Sequence, residues 1–344
     1  MKKLSFLNKI IFLTNNFFAI VLLISFIIPN LSPTNYGVLS VLSLATPALI
    51  FVNIFFILYW ILIGFKKQVI LSFLVLLLSL FLIPSLYKFT NNTSKKSKNS
   101  LDLLTYNVRK FNKYKWIKEG DIAPQISNFI TKENPDIVCL QEYGESKNFK
   151  LNYPYKHNHI VYNYYQKFYK QSGLVTYSKY PIINKGSLGV VKFMSSIIYT
   201  DIVKNKDTLR IYNFHLHSLG VNPDKEYFGH KNSDKLIKRL STSFKFQEKQ
   251  IDTLYKHIKT CKYKIIMAGD MNNTAYSWAY KTIKGDFKDS FIEAGKGFGK
   301  SYSFKKIPLR IDYIFTDKSF NITRHQNFKQ EYSDHYPISA TIKF

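Results

Sequence analysis

The stretch Ile265–Asn273, IIMAGDMNN, decides the fold of the larger part of this 344-residue chain. Its apolar residues, preceded by Lys264, predict a buried strand over Lys264–Ala268, and Gly269 permits a sharp turn after it. Asp270 and Asn272 are therefore expected where that strand ends. Taken alone, a turn rich in Asp and Asn usually carries no chemistry, so its meaning depends on the rest of the chain.

Short apolar strands alternate with amphipathic helices from Leu101 onward. We predict strands at Leu101–Val108, Asp136–Gln141, Gly173–Ser178, Ile197–Lys204, Leu209–Phe214, Lys264–Ala268 and Arg310–Phe315. We predict helices after the N-cap Asp121, at Ser241–Lys259 and at Thr274–Lys284. Many strands with a few interleaved helices indicate an α/β sandwich of two packed sheets with helices outside. Periodicity alone does not exclude a doubly wound sheet.

Polar residues recur at the ends of these strands. They are Asn107 in LLTYNVRKFN, Glu142 in PDIVCLQEY, His215 in YNFHLHS, Asp270 and Asn272 in GDMNN, Asp312 in RIDYIF, and Asp334 with His335 in YSDHYPI. This ordered series, with GLVTYSKYPI at residues 173–182, resembles the endonuclease/exonuclease/phosphatase superfamily over nearly all of residues 101–344. The resemblance implies a four-layer α/β sandwich, in which helices flank two packed mixed β-sheets. Each motif alone is weak, and only their order and spacing together are specific.

The resemblance also implies a metal site. The matching residues are Glu142 as the main ligand, Asn107 and Asp334. A carboxylate at the end of an apolar strand is costly to bury unless it is paired or binds a cation. Oxygen ligands without cysteine favour Mg²⁺, with Mn²⁺ possible as a substitute.

Five further residues are expected to act on the phosphate or the attacking water: His335, Asp312, Asp270, Asn272 and His215. By resemblance, His335 contacts the substrate while Asp312 fixes its tautomer, Asp270 activates the water, and Asn272 holds that water or a phosphate oxygen. Either Asp270 or His335 takes the proton of the water, and the sequence leaves this choice open. His215 is expected to bind a phosphate oxygen, and His217 is a secondary candidate. These roles predict in-line attack by water without a covalent enzyme intermediate.

The N-terminal third predicts a membrane anchor. Ile10–Ile28, Val38–Phe65 and Val69–Leu86 contain no charged residue, and each is long enough to cross about 30 Å of hydrocarbon as a helix. We therefore divide the chain into an anchor of three transmembrane helices at residues 1–87, a basic polar linker at 88–100 and a catalytic domain at 101–344. The first helix also fits a signal peptide, although no small-residue cleavage site follows it.

Lysines indicate the orientation of these helices. Lys2, Lys3 and Lys9 precede the first run, and Lys66 and Lys67 separate the second from the third. The positive-inside rule places these residues in the cytoplasm and the catalytic domain on the extracytoplasmic side, periplasmic or extracellular. A transporter would need polar groups along its spans, and beyond Asn15, Asn16, Asn53 and a few hydroxyls there are none.

Charge is concentrated in the second part of the chain. Residues 1–100 have nine Lys and no acidic residue, whereas residues 101–344 have 40 Lys and Arg against 22 Asp and Glu, a formal charge of +18. This charge could attract a polyanion such as nucleic acid or an anionic membrane surface. The codon usage of an AT-rich genome, which favours Lys and Asn throughout the chain, explains it equally well. Cys139 and Cys261, the only cysteines, are predicted to be buried small hydrophobes.

The substrate class stays open at this level. Positive charge and abundant Tyr slightly favour a nuclease, through phosphate contacts and base stacking. A position close to a bilayer favours a phospholipid or sphingolipid phosphodiesterase instead. A catalytically inactive membrane-bound binding protein is a third hypothesis.

Overall fold

The computed structural model describes residues 4–64, 66–89, 99–113, 115, 117, 120–163, 170–189, 197–221, 233–304 and 307–344. Most of the predicted linker, residues 90–98, lies outside this part. The N-terminal segment contains four helices: α1 (Phe6–Ser25), α2 (Pro33–Ser40), α3 (Thr46–Leu62) and α4 (Ile70–Leu82). A short 3-10 helix, Val41–Ala45, joins α2 to α3.

The remainder alternates strands and helices. The strands are β1 (Ser100–Asn107), β2 (Ile137–Tyr143), β3 (Tyr155–Asn163), β4 (Lys170–Ser178), β5 (Ile182–Ser187), β6 (Ile197–Lys204), β7 (Asp207–His215), β8 (Lys264–Asp270), β9 (Lys288–Asp289), β10 (Tyr302–Phe304), β11 (Ile307–Leu309), β12 (Asp312–Thr316), β13 (Asn321–Asn327) and β14 (Ile338–Lys343). The helices are α5 (Ile122–Glu133), α6 (Ser233–Ile258), α7 (Trp278–Lys284) and α8 (Ser290–Ala294).

Two six-stranded sheets form the centre of this part. The first has the order β13-β14-β1-β2-β4-β3 and the second β5-β6-β7-β8-β12-β9. The pairs β1 with β2 and β7 with β8 are parallel, and the other pairs are antiparallel, so both sheets are mixed. The prediction of an α/β fold with two mixed sheets is therefore confirmed.

Three apolar clusters show how the sheets and helices are layered. Leu103 and Cys139 of the first sheet pack with Ile211, Ala268 and Ile314 of the second, which places one core between the sheets. A second cluster joins the outer face of the first sheet to α5, and a third joins the outer face of the second sheet to α6 and α7. Helices thus flank both sheets, because each sheet is apolar on both faces.

A polar bridge crosses between the sheets next to the strand ends. The side chain of Gln141 on β2 donates to Asn213 Oδ1 on β7 over 2.8 Å. Asn213 donates in turn to the carbonyls of Leu140 and Val175. Because both side chains are fully buried, breaking these bonds is costly. The bridge fixes the end of β2 against the end of β7.

Helix boundaries differ from the predictions at their N-termini. The helix predicted at Ser241 begins at Ser233, and the one predicted at Thr274 begins at Trp278, where the Ser277 side chain accepts from the Tyr280 amide as its N-cap. Cys139 is buried as predicted, but Cys261 is only half-buried because it lies in the turn after α6.

In the part of the chain that the structure describes, two helical stretches, not the three predicted, are long and apolar enough to cross a membrane: Phe6–Asn30 and Pro33–Leu62. The third apolar helix, Lys67–Leu82, is shorter than predicted. It ends because Ile83 precedes Pro84 and adopts extended backbone angles, as the proline ring requires of the residue before it.

The polar residues of the N-terminal helices bond to one another. Asn15 donates to Ser72 Oγ, Ser72 donates to Asn53 Oδ1, and the Trp60 indole donates to Asn15 Oδ1, over 2.5, 2.8 and 2.8 Å. All four are fully buried. Asn15 and Asn53 therefore join α1, α3 and α4 to one another, as interhelical polar groups do in apolar helix bundles.

Candidate active site

The predicted site residues meet at one end of the two sheets. Asn107, His215 and Asp270 are the last residues of β1, β7 and β8, and Glu142 is the last but one of β2. His215 lies opposite Asp270 in the parallel pair, and Asp312 lies opposite Asp270 in the antiparallel one. Strand direction and register thus bring these side chains together from distant parts of the chain.

Asp270 lies at the centre of the group and is completely buried. Its Oδ1 accepts from the Asn272 backbone amide at 2.7 Å, and its Oδ2 accepts from the side-chain amides of Asn107 and Asn272 at 3.0 and 3.2 Å. His215 Nε2 and His335 Nε2 lie 3.5 and 3.6 Å from Oδ2. Nitrogen donors therefore surround this carboxylate.

Glu142 reaches the site through a break in strand pairing. The register of β2 against β4 shifts between Leu140 and Tyr143, and Glu142 has a φ of +46°. Such a bulge turns a side chain away from the regular alternation of the strand. Glu142 Oε1 lies 3.4 Å from Asn107 Nδ2 and 3.8 Å from His215 Nε2. Burial would raise the pKa of this carboxyl, but His215, His335 and Asn107 lower it overall.

Asp312 holds His335 in one orientation. Asp312 Oδ2 lies 2.9 Å from His335 Nδ1, and both residues are buried. Burial alone would lower the pKa of His335, but Asp312 and Asp270 together raise it to about 10. Burial raises the pKa of Asp312 to about 6, against the opposing effect of His335. The bond directs His335 Nε2 toward Asp270, which is the geometry that an orienting carboxylate requires.

Asp334, a predicted metal ligand, pairs with an arginine. Its Oδ2 lies 2.5 Å from Arg109 Nη1, and its Oδ1 accepts from Ser333 Oγ at 3.2 Å. The structure therefore pairs this carboxylate with a guanidinium beside the predicted metal ligands. Arg109 is two residues after Asn107 in the NVR motif. That proximity is the only feature of the sequence that could have predicted Arg109 near the site.

The buried donor set fits a hard divalent cation. Ligand atoms of Asp270, Asp312 and His335 all lie within 4.8 Å of one another. Asp312 Oδ1 and His215 Nε2 are buried atoms without a hydrogen-bond partner among the described residues. Unsatisfied buried atoms beside several carboxylates are expected where an ion binds. Glu142, Asn107 and Asp270 offer the oxygen atoms that such a cation prefers.

Asn272 contacts this group through Asp270, whereas His217 lies beside it. Asn272 has a φ of +52°, and its amide donates to the Leu216 carbonyl as well as to Asp270. The His217 backbone is held by Gln250 and Gln247 of α6, and its ring packs 4.9 Å from that of Phe246. His217 thus packs on α6.

Tyr302 is a site neighbour that the sequence analysis missed. It lies on β10, its backbone pairs with that of His335, and the two rings are 4.9 Å apart. Burial chiefly, and then Asp334, raise the pKa of its phenol, so the hydroxyl stays protonated as a donor. Nothing in the SYSF stretch marks this tyrosine as different from the other 24.

A family comparison agrees with this geometry. The sequence model of the endonuclease/exonuclease/phosphatase family matches residues 104–335, which contain every predicted site residue. The chain belongs to the endonuclease/exonuclease/phosphatase family. A second family model, described as a domain of unknown function, matches residues 8–86. No curated protein matches the chain.

Solved structures of this family share the fold. An endonuclease/exonuclease/phosphatase from Beutenbergia cavernae has a TM-score of 0.53 at 16% identity, covering 72% of this chain and 72% of its own. One from Bacteroides vulgatus has a TM-score of 0.53 at 18% identity, and the match covers 72% of this chain and 100% of the other. A humanized D. rerio TDP2 has a TM-score of 0.52 at 16% identity, and the match covers 72% of this chain and 100% of the other. At such identities the likeness shows the endonuclease/exonuclease/phosphatase fold alone.

Proposed function

We propose that this chain is a membrane-anchored, divalent-cation-dependent phosphodiester hydrolase. One observation carries the proposal: Asn107, Glu142, His215, Asp270, Asp312 and His335 converge at one sheet end through contacts of 2.9 to 3.8 Å. Membership of a family of phosphoester hydrolases supports the same reaction class.

Glu142 and Asn107 would hold the cation, with Asp334 as a further carboxylate from the opposite loop. Oxygen donors of this kind favour Mg²⁺, and Mn²⁺ can replace it. When bound, the cation neutralises negative charge on the phosphate and on the departing oxygen. Arg109, already paired with Asp334, adds positive charge at the same place.

The protein residues then orient the substrate and move one proton. His335 Nε2 and His215 Nε2 contact non-bridging phosphate oxygens, and Asp312 prevents rotation of the His335 ring. Asp270, fixed by Asn107 and Asn272, accepts the proton of the attacking water. Water attacks phosphorus opposite the leaving oxygen, so no covalent enzyme intermediate forms.

Membrane anchoring is supported by exposed apolar surface. Of the 34 exposed large hydrophobic side chains in the part that the structure describes, 29 lie between residues 6 and 89. A soluble surface rarely carries so continuous an apolar area. We infer that α1, α3 and α4 lie in the bilayer, with Asn8 and Tyr59, which bond to each other, at the cytoplasmic end. The extracytoplasmic position of the catalytic domain requires that α4, although shorter than α1 and α3, also crosses the bilayer.

Substrate hydrolysis by the full chain in detergent tests this proposal. We expect bis(p-nitrophenyl) phosphate to be cleaved with Mg²⁺ or Mn²⁺ and not with chelator. His335→Ala should lower the rate by about 100-fold or more, as loss of a donor that stabilises developing charge in the transition state does. His159→Ala, on the edge strand β3, is the matched control. Equal rates for parent and His335→Ala would contradict the assignment of the site, and a parent that binds phosphoesters without cleaving them would be a binding protein.

A further inference from the structure

The loop between α1 and α3 is bound to the catalytic domain through Glu248 of α6. Glu248 Oε1 accepts from Ser32 Oγ at 2.5 Å, and its Oε2 accepts from the Thr34 amide and hydroxyl at 2.5 and 2.6 Å. Glu248 is buried, with 8% of its surface exposed. A carboxylate that accepts three hydrogen bonds at the start of α2 caps that helix. The contact is therefore specific and not a chance approach.

Three loops adjoin the active site in the chain, after His215, after Asp270 and before Tyr302. Each of them also packs on, or close to, the N-terminal segment. Tyr276 packs in a cluster with Ala19 and Leu22 of α1, and Leu219 packs against the same buried side chains of α6 as Val41 and Leu44 do. Gly297 pairs through its backbone with Lys88.

The chain lengths between these contacts and the site are short. Leu219 is four residues after His215, Tyr302 is five after Gly297, and Tyr276 is six after Asp270. Since an extended residue spans at most about 3.6 Å, the three loops limit the distance from the site to the contacts to about 14, 18 and 22 Å. The active site thus lies at the end of the domain that faces the apolar helices.

Aromatic side chains mark the boundary of the apolar helices on this side. Tyr87 follows α4, and its ring lies 4.9 Å from those of Phe89 and Phe298. Phe89 and Phe298 are 84% and 37% exposed. Exposed aromatic rings after a membrane helix typically lie at the level of the lipid head groups. That layer is about 5 to 8 Å thick on each side of the hydrocarbon.

From this arrangement we infer that the substrate is the phosphodiester of a phospholipid head group in the membrane that holds the anchor. The inference rests on the proposed function and adds its substrate class. Water adds to the lipid phosphorus and gives a proton to Asp270, the bond from phosphorus to the leaving alcohol oxygen breaks, and that oxygen takes a proton from the solvent. The products are an alcohol and a phosphomonoester. The positive charge of the domain favours an anionic lipid surface as its neighbour.

The orientation is tested with the full chain in vesicles of phosphatidylcholine and phosphatidylglycerol. Bimane is attached to Phe298→Cys or to Lys318→Cys in a Cys261→Ser background, and lipids with nitroxide head groups are the quencher. Lys318 follows β12, whose first residue Asp312 lies in the site, so it marks the opposite end of the sheet. We expect loss of fluorescence at residue 298 and none at 318. Equal quenching, or quenching at 318 alone, overturns the inference.

The substrate is tested in the same vesicles by hydrolysis of their phospholipids, of single-stranded DNA and RNA, and of bis(p-nitrophenyl) phosphate. We expect the parent to cleave lipid and the small diester but not nucleic acid. Glu248→Ala should lower lipid cleavage about 10-fold, because displacement of a bound group by about 1 Å costs up to 100-fold, and should leave cleavage of the small diester nearly unchanged. Asp252→Ala, which removes the same charge one turn further along α6, is the control.

Gly37→Leu provides a second way to separate the loop from α6. A Cβ at Gly37 would meet Ser241 Oγ at 2.3 Å and the Ser241 carbonyl at 3.3 Å, so a larger side chain forces the two apart. It should repeat the effect of Glu248→Ala. Cleavage of nucleic acid but not of lipid overturns the inference about the substrate, but it does not contradict the proposed hydrolase. The same holds if both variants lose equal activity on lipid and on the small diester. Failure to cleave any diester with any cation refutes the proposed function itself.

Discussion

Asp312 Oδ2 and His335 Nδ1 lie 2.9 Å apart, although 22 residues separate them in the chain. Asp312 begins β12 opposite Asp270, and His335 belongs to the loop before β14. This hydrogen bond, like that from Asn107 to Asp270, therefore connects the two sheets at the candidate active site. It fixes which nitrogen of His335 faces the substrate.

Asp312→Asn should lower the hydrolysis of bis(p-nitrophenyl) phosphate by about 100-fold or more with little change in folding. The amide keeps the shape of the carboxyl, but it can present the wrong hydrogen-bonding group to His335 and loses the negative charge. Steady-state kinetics measure the loss. Asp317→Asn, in the turn after β12, should behave as the parent. A variant with the parent rate would show that Asp312 does not orient His335 for catalysis.

Glu142→Gln should weaken cation binding. Removing the charge of the main predicted ligand leaves an amide oxygen, which binds a hard cation less strongly. Isothermal titration with Mn²⁺ should show at least about 10-fold weaker binding, the loss typical of an altered metal site. Glu145→Gln, three residues further along the chain, is the control. Unchanged Mn²⁺ affinity would exclude Glu142 as a ligand.

Gly269→Ala should destabilise the catalytic domain strongly. Gly269 has a φ of +152°, and an added Cβ would lie 1.9 Å from the Phe214 carbonyl oxygen of the neighbouring strand. Backbone atoms of a central sheet cannot move away cheaply, so we expect a loss above about 3 kcal/mol. Denaturant unfolding followed by circular dichroism measures it. Gly189→Ala, with open space around its Cβ position, should cost far less.

Acid should destabilise the fold through His325. Burial lowers the pKa of this histidine to about 4, from an ordinary value of 6.5. Between these two values the unfolded chain binds the proton and the native chain does not, so the contribution of His325 to stability is complete above pH 6.5 and falls as the pH drops toward 4. The largest contribution of His325 to the free energy of unfolding is about 3 kcal/mol, at about 1.4 kcal/mol for each pKa unit of difference.

Unfolding midpoints measured from pH 7 to pH 4 should therefore decline less steeply for His325→Gln than for the parent. Ser290 Oγ lies 2.8 Å from His325 Nδ1, and glutamine can still bond to this hydroxyl. His257→Gln, at a partly exposed ring, should keep the parental slope more closely. Parallel curves for parent and His325→Gln would contradict the explanation.

The sequence by itself determined the strands and the residues at their ends. Ile197–Lys204 was predicted to the residue, and Asp270 was expected where the strand from Lys264 ends, although that strand was predicted to stop at Ala268 and continues to Asp270. The ordered motifs were sufficient to indicate the family. The apolar runs likewise indicated the helices, although the effect of Pro84 on the length of the third was not foreseen.

Only the tertiary structure decided which groups meet. Glu142 enters the site because of a bulge against β4, Asp334 bonds to Arg109, and Tyr302 lies against His335. Glu248 binds Thr34 across 214 positions of the chain. Such pairings depend on sheet register and on packing between layers, and these are set by contacts between distant residues. No local pattern of polar and apolar residues contains that information.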